Sequence, residues 1–246
     1  MINKAFLWLR SLIFNIFFIG YTFGIVFFLS PVLLGPKSWV QRVAFFWAQG
    51  VTFLARLVLG ISFEVRGILP DTPMLVASKH QSTLETVLLY YIFKNPVFLL
   101  KKELLSIPLM GLFWKKLGMI PLERQKGHFP FKSISHNIKK TLDHEQSFVI
   151  IFPEGTRSAV GATTHYRAGV SLIYDKIQAP VLPIALNTGV FWPRRAFLKR
   201  PGKAVLQLMP IIPPGLDPKD FRAQLEEVIE HQTHLLVQEA TCAIQE

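Results

Sequence analysis

Met74-Leu75-Val76-Ala77-Ser78-Lys79-His80-Gln81-Ser82-Thr83-Leu84-Glu85-Thr86 is the stretch that decides how this chain folds. Its opening apolar run reads as a buried strand, and a second apolar run, Val87 to Phe93, reads as a helix. A histidine and a carboxylate therefore sit at a strand-to-helix junction, where open α/β sheets bind their ligands. On one continuous helix, residues at this spacing would point about 140° apart. They meet only if His80 lies in the turn and Glu85 in the first helical turn. Ser82-Thr83-Leu84-Glu85 favours that arrangement, because in a capping box the N3 carboxylate folds back over the N-cap. Two assignments follow, and they are compatible. Glu85 caps a helix beside a strand end, or a neutral imidazole takes a proton from an alcohol while the carboxylate fixes its tautomer.

Downstream, Phe152-Pro153-Glu154-Gly155-Thr156-Arg157-Ser158 follows another apolar strand, Phe148 to Ile151. Gly155 permits close backbone approach or a positive φ, and Arg157 can hold phosphate oxygens bidentately. Alone, the segment is equally a turn in which Glu154 and Arg157 pair with each other or with solvent.

Around these junctions, short apolar runs alternate with helical stretches. Strands are expected at Ile61–Val65, Met74–Ser78, Pro96–Leu100, Met119–Leu122, Phe148–Phe152, Val181–Ala185 and Ala204–Met209. Helices are expected at Leu84–Phe93, Ile107–Leu117, Phe131–Glu145, Gly169–Lys176 and Pro218–Cys242. The alternation predicts an α/β domain over residues 61–246 with a mostly parallel sheet.

Residues 1–60 are different. Ser11 to Leu34 is an uncharged run of 24 residues, roughly 36 Å as a helix and enough to cross a bilayer core. Neither the short apolar core nor the cleavage site of a signal peptide is evident. Lys4 and Arg10 precede the run, and Lys37, Arg42 and Arg56 follow it, so the positive-inside rule sets no orientation. Pro31 and Pro36 predict a break near its end. From Ser38 to Ile61, Arg42, Gln49 and Arg56 recur every seven residues on an otherwise apolar helix, a pattern suited to the membrane interface. The expectation is a membrane-associated helical hairpin dipping into one leaflet with both ends on the cytoplasmic side. One spanning helix followed by a surface helix is the alternative.

Composition agrees. Half the residues are hydrophobic, the formal net charge is +11, and the mean hydropathy is +0.34. A basic, apolar chain points to an anionic phospholipid membrane or to phosphorylated substrates. No nucleic-acid-binding module is recognisable, so no nucleic-acid partner is expected. The single cysteine, Cys242, cannot form an intramolecular disulfide, which suits a reducing compartment. His231 and His234 follow Glu227 and Glu230 at helical spacing, which favours ion pairs over a metal site. Phe191-Trp192-Pro193-Arg194-Arg195, with Lys199, Arg200 and Lys203, is expected either to touch headgroups or donor phosphates or to be a solvated basic loop.

Together the motifs resemble those of the glycerolipid acyltransferases typified by the 1-acyl-sn-glycerol-3-phosphate (lysophosphatidic acid) acyltransferase family. That family carries His-x4-Asp followed later by Phe-Pro-Glu-Gly-Thr-Arg-Ser. Here Glu85 stands in place of the Asp. The second family block resembles Lys101-Lys102-Glu103-Leu104-Leu105 with Ile107-Pro108-Leu109-Met110-Gly111, ending in Gly118-Met119-Ile120-Pro121-Leu122-Glu123-Arg124. The fourth resembles Ala179-Pro180-Val181-Leu182-Pro183-Ile184-Ala185-Leu186-Asn187.

Carried over by position, the resemblance implies His80 as general base on the free hydroxyl of lysophosphatidic acid, with Glu85 orienting it. Lys101 would lie near the oxyanion or the thioester, and Arg124, Glu154, Gly155, Thr156 and Arg157 would bind the glycerol phosphate. The acyl donor would be acyl-CoA or acyl-acyl carrier protein, the product phosphatidic acid, and no cofactor or metal is called for. The implied location is the inner membrane, with the site facing the cytoplasm. The Asp-to-Glu change leaves other acceptors open: glycerol 3-phosphate, another lysophospholipid or an amino-acid lipid. A non-catalytic membrane-surface lipid binder on the same scaffold is the reading from a different class.

Overall fold

The computed structural model describes residues 3–122, 131–162 and 164–245. Seven strands form one sheet in the order β1-β7-β6-β2-β5-β3-β4. They are β1 (Ile61–Arg66), β2 (Leu75–Ser78), β3 (Val97–Lys101), β4 (Ile120–Leu122), β5 (Val149–Ile151), β6 (Val181–Leu186) and β7 (Gly202–Leu208). Every neighbouring pair is parallel except β6 with β7. The central strands β2, β5 and β6 are buried along their whole length, which is why they read as unbroken apolar runs. Leu75 is in register with both Val149 and Val181, so the three parallel strands start level. The loops that leave their C-terminal ends meet at one edge of the sheet.

Alternate side chains of these strands feed two cores. One face carries α5 (Phe131–Asp143), α6 (Ala168–Ile177) and α8 (Pro218–Gln245), where Ile138, Tyr174 and Phe221 share a core with Leu75, Ala77 and Val149. The other carries α1 (Lys4–Phe28), α2 (Lys37–Leu54), α3 (Leu84–Phe93) and α4 (Met110–Leu117). There Phe14, Val40, Ala48 and Val51 of the N-terminal helices belong to the same core as Val76, Ile150, Ile184 and Leu186 of the strands.

The uncharged run does not form one helix. Helix α1 stops at Phe28, and a 3-10 turn over Ser30–Leu34 with Pro31 in its first turn leads into α2. Helix α2 continues as a π turn over Ala55–Leu59 and ends at Gly60. The two helices are tied by Trp47 Nε1 donating to Thr22 Oγ1 at 3.0 Å and Tyr21 Oη donating to the Phe46 carbonyl at 3.0 Å. Segments Lys4–Phe28 and Lys37–Leu59 are long and apolar enough to cross a membrane. Their outer faces present Phe17, Phe23, Phe27, Phe28, Phe46 and Phe53, each more than half exposed.

Two local expectations change. The helix expected from Ile107 begins at Met110, because Leu109 takes a positive φ of 57°, which a helix cannot include. A 3-10 segment over Lys102–Ser106 and a short helix α7 (Thr188–Phe191) add to the expected elements.

Candidate active site

The loop after β2 folds around the carboxylate of Glu85. Its Oε1 accepts from His80 Nδ1 at 2.8 Å, from the Gln81 N–H at 2.9 Å and from the Ser82 N–H at 2.7 Å. Its Oε2 accepts from Thr188 Oγ1 at 2.6 Å. The expected capping box forms only in part: Glu85 reaches back to the Ser82 N–H, but the N-cap is Thr83, without a side-chain cap bond, and Ser82 Oγ accepts from the Leu84 N–H at 3.0 Å. Glu85 is wholly buried. The carboxylate already accepts from two backbone N–H groups and a hydroxyl, so in its contact with the imidazole Nδ1 of His80 is the donor, and the Nε2 edge is not part of that contact.

The imidazole stacks on Phe152, with ring centroids 3.8 Å apart and planes inclined by 15°. It lines a cavity of about 590 Å³ between the sheet and the N-terminal helices. Phe18, Trp47, Phe113, Trp114 and Met119 make most of this cavity apolar. Among the described residues, Lys101 and Arg157 are the charged side chains that line it beside the His80 ring. Gly155 adopts a φ of 70°, a conformation open mainly to glycine, and lines the cavity beside Thr156. Arg157 Nη1 donates to Thr83 Oγ1 at 3.0 Å, and the Arg157 carbonyl accepts from Arg194 Nη1. Lys101 stands at the end of β3, half exposed and paired with Glu103 at 3.1 Å.

Glu154 is placed differently. It is 1% exposed and does not line the cavity. Its Oε1 accepts from the His80 N–H at 2.7 Å, and its Oε2 lies 3.2 Å from Lys79 Nζ. Burial pushes its carboxyl above the ordinary range, opposed by Lys79, Ser158 and the His80 N–H. The simple turn in which Glu154 pairs with Arg157 is not what forms, because each has a different partner. The far side of the His80 peptide is also fixed, since the His80 carbonyl accepts from the Ser158 N–H at 2.8 Å.

Lys79, 2% exposed, bridges Glu154 and Glu230, with Nζ 2.7 Å from Glu230 Oε1. Tyr166 Oη donates to that same oxygen at 2.9 Å. Sequence reasoning missed this brace, as it missed Thr188. Lys79 lies inside the opening motif, but its partner on α8 is 151 residues away. Thr188 is the second residue after β6, as His80 is the second after β2, and that shared strand-end position is the signal that could have found it.

His80, Lys101, Gly155, Thr156 and Arg157 thus share one cavity, with Glu85 behind His80 and Glu154 behind the loop. Arg124, with its neighbour Glu123, lies outside the described residues. The basic segment after Phe191 is not a solvated loop throughout: Phe191, Trp192 and Lys199 are buried. Among the described residues, no group of three or more His, Cys, Asp or Glu side chains is arranged to hold a metal ion.

A family model described as Acyltransferase matches residues 61–187, just over half of the chain, and that span includes both junctions. This chain belongs to the acyltransferase family. Within the family it is 36% identical over 179 residues to the 1-acyl-sn-glycerol-3-phosphate acyltransferase of Pseudomonas aeruginosa, an alignment covering 72% of this chain and 68% of that protein. It is 28% identical to the mouse 1-acyl-sn-glycerol-3-phosphate acyltransferase alpha, covering 71% of this chain and 63% of that one. The crystal structure of the 1-acyl-sn-glycerophosphate (LPA) acyltransferase PlsC from Thermotoga maritima shares the fold, with a TM-score of 0.73 at 22% identity, covering 96% of this chain and 99% of the other. An acyltransferase needs a group that deprotonates the acceptor and a place for an acyl chain, and the imidazole at an apolar cavity is consistent with both requirements.

Proposed function

We propose that this acyltransferase moves a fatty acyl group from acyl-CoA or acyl-acyl carrier protein to the sn-2 hydroxyl of 1-acyl-sn-glycerol 3-phosphate, giving phosphatidic acid. The observation that carries the proposal is the His80 ring, held by Glu85 at 2.8 Å through Nδ1, at an apolar cavity whose charged lining residues, among those described, are Lys101 and Arg157. The hydroxyl gives its proton to Nε2 as its oxygen attacks the thioester carbonyl. The tetrahedral oxyanion collapses, the C–S bond breaks, and the departing sulfur takes the proton back from the imidazolium. Products are an ester and a thiol. Glu85 stabilises the transient imidazolium, and Lys101, which lines the same cavity, is the cation assigned to the developing oxyanion. Arg157 with Thr156 and Gly155 receives the phosphate, and Glu154 braces the His80 loop instead of touching substrate.

The same reading places the N-terminal helices in a membrane with the site on the cytoplasmic side, so that a lysolipid reaches the cavity from the bilayer. Lining residues from both helices, Phe18 and Trp47 among them, support a cavity continuous with that apolar surface.

The test is turnover of the purified chain with lysophosphatidate and either donor, in parallel with His80→Ala. General-base catalysis is worth about 10²–10⁴-fold, so the variant is expected to lose at least about a hundredfold in kcat. Undiminished turnover by His80→Ala removes the base from the mechanism. Turnover with another lysophospholipid but not with lysophosphatidate reassigns the acceptor.

A further inference from the structure

The outer oxygen of Glu85 has a partner that belongs to neither motif. Thr188 is fully buried, and its Oγ1 lies 2.6 Å from Glu85 Oε2, across 103 residues of sequence. That distance is typical of a hydroxyl donating to an ionised carboxylate, the stronger class of hydrogen bond. We propose that Thr188 is a positioning residue for acyl transfer, its hydroxyl fastening Glu85 so that the other carboxylate oxygen holds His80 in one tautomer and orientation. This rests on the acyltransferase reading given above.

Three features point the same way. First, the work of Glu85 is divided between its oxygens: Oε1 takes three donors from the His80–Ser82 loop, and Oε2 takes Thr188. Removing the hydroxyl leaves a buried carboxylate oxygen without that donor, which favours rotation of the carboxylate away from the loop. Second, the segment that carries Thr188 is pressed against the loop it serves. The Gly189 N–H donates to Gln81 Oε1 at 3.1 Å, and a Cβ at Gly189 would stand 2.8 Å from the Gln81 Cβ. Asn187 anchors the other side, its Oδ1 accepting from the Val205 N–H at 2.8 Å and its Nδ2 donating to the Leu236 carbonyl at 3.2 Å. Third, threonine is β-branched and stiff at χ1, so its hydroxyl direction is set by this anchored backbone.

A buried hydroxyl seeks a partner in any case, so the test must separate positioning from packing. Steady-state kinetics are measured on the full chain with lysophosphatidate and acyl-CoA for wild type, Thr188→Val and Thr188→Ser. The low-field proton on His80 Nδ1 is followed by NMR in the same three proteins. Loss of one charge-assisted bond predicts that Thr188→Val lowers kcat about tenfold or more, with both KM values within about twofold. Its Nδ1 proton resonance broadens or disappears, while Thr188→Ser keeps the resonance and most of kcat. Wild-type kcat in Thr188→Val, or equal damage in Thr188→Ser, overturns the proposal. Thr188→Ala removes the same hydroxyl and repeats the test if the valine variant does not fold. If wild type turns over none of the substrates, the acyltransferase substrate reading fails, and the NMR resonance still decides whether Thr188 controls the imidazole.

Discussion

The backbone N–H of His80 donates to Oε1 of Glu154 at 2.7 Å, so the two motifs are joined main chain to side chain. The ring of the same histidine is held by Glu85 at 2.8 Å. Position and orientation of the imidazole are therefore set by different carboxylates. Glu154 in turn depends on Lys79, and Lys79 on Glu230 of α8. A helix near the end of the chain thereby helps to fix the loop that carries the proposed base.

Substitution of Glu154 tests that division. Glu154→Ala strips the His80 N–H of its acceptor and leaves Lys79 buried with Glu230 alone. Lys79 keeps Glu230, but the His80 N–H loses a charge-assisted bond worth about 1.5–3 kcal/mol, so a drop in thermal stability is expected together with a fall in kcat. Glu154→Gln keeps an acceptor for the N–H and is expected to lose less of both. If Glu154→Ala melts like wild type and only raises KM for the acceptor, Glu154 is a substrate ligand and not a brace.

Much of this fold was legible because its signals are local. Each of the seven expected strands overlaps an observed one, and Leu84–Phe93 has the expected ends, since a buried strand and an apolar helix are written in contiguous residues. Exceptions arose where local geometry overrides apolar content, as at Leu109 with its positive φ. The motifs indicated which loops meet, because strand ends in a parallel sheet converge. They did not show which side chains of a motif face the cavity. Glu154 and Arg157 belong to one heptapeptide, yet Arg157 lines the cavity while Glu154 turns to the peptide of His80. Lys79 with Glu230, and Glu85 with Thr188, are separated by 151 and 103 residues, and such pairs exist only once the sheet order is known.

Arg157 offers a test of headgroup recognition. A guanidinium can hold a phosphate through two parallel hydrogen bonds, and lysine cannot reproduce that fork. Arg157→Ala is expected to raise KM for lysophosphatidate about tenfold or more, with a smaller change in kcat, and Arg157→Lys is expected to fall between. The decisive comparison uses an uncharged monoacylglycerol as acceptor, where wild type and Arg157→Ala should perform alike. Equal impairment with both acceptors would mean that Arg157 supports the loop through Thr83 instead of the phosphate.

The outer face of α1 bears on membrane attachment. Phe23 and Phe27 are 70% and 64% exposed, and an apolar surface of this kind is normally covered by a partner or by lipid. Aspartate on an apolar helix opposes insertion, by about 2.5–3.5 kcal/mol at the centre and less towards the end where these residues lie. The double variant Phe23→Asp, Phe27→Asp is therefore expected to shift the protein from the pellet to the supernatant in vesicle sedimentation, with activity retained on detergent-dispersed substrate. Unchanged sedimentation would show that this face is not the one in contact with lipid.

Lys199 makes the junction between α1 and the sheet sensitive to pH. Its Nζ lies 2.8 Å from Asn15 Oδ1 and 3.2 Å from the Phe197 carbonyl, over the rings of Trp192 and Phe14. Burial outweighs these contacts and pulls its pKa from 10.5 down to about 8. Below pH 8, folded and unfolded chains both hold the proton, so the cost of the buried charge is fully present. Between 8 and 10.5 the unfolded chain still binds a proton that the folded chain has released, and stability contributed by this group rises with pH across that window. Lys199→Met fills similar space without a charge and is expected to flatten that part of the rise. Melting temperatures of wild type and variant, compared at about pH 7 and about pH 10, check the sign. Parallel curves for the two proteins would show that Lys199 does not titrate in this range.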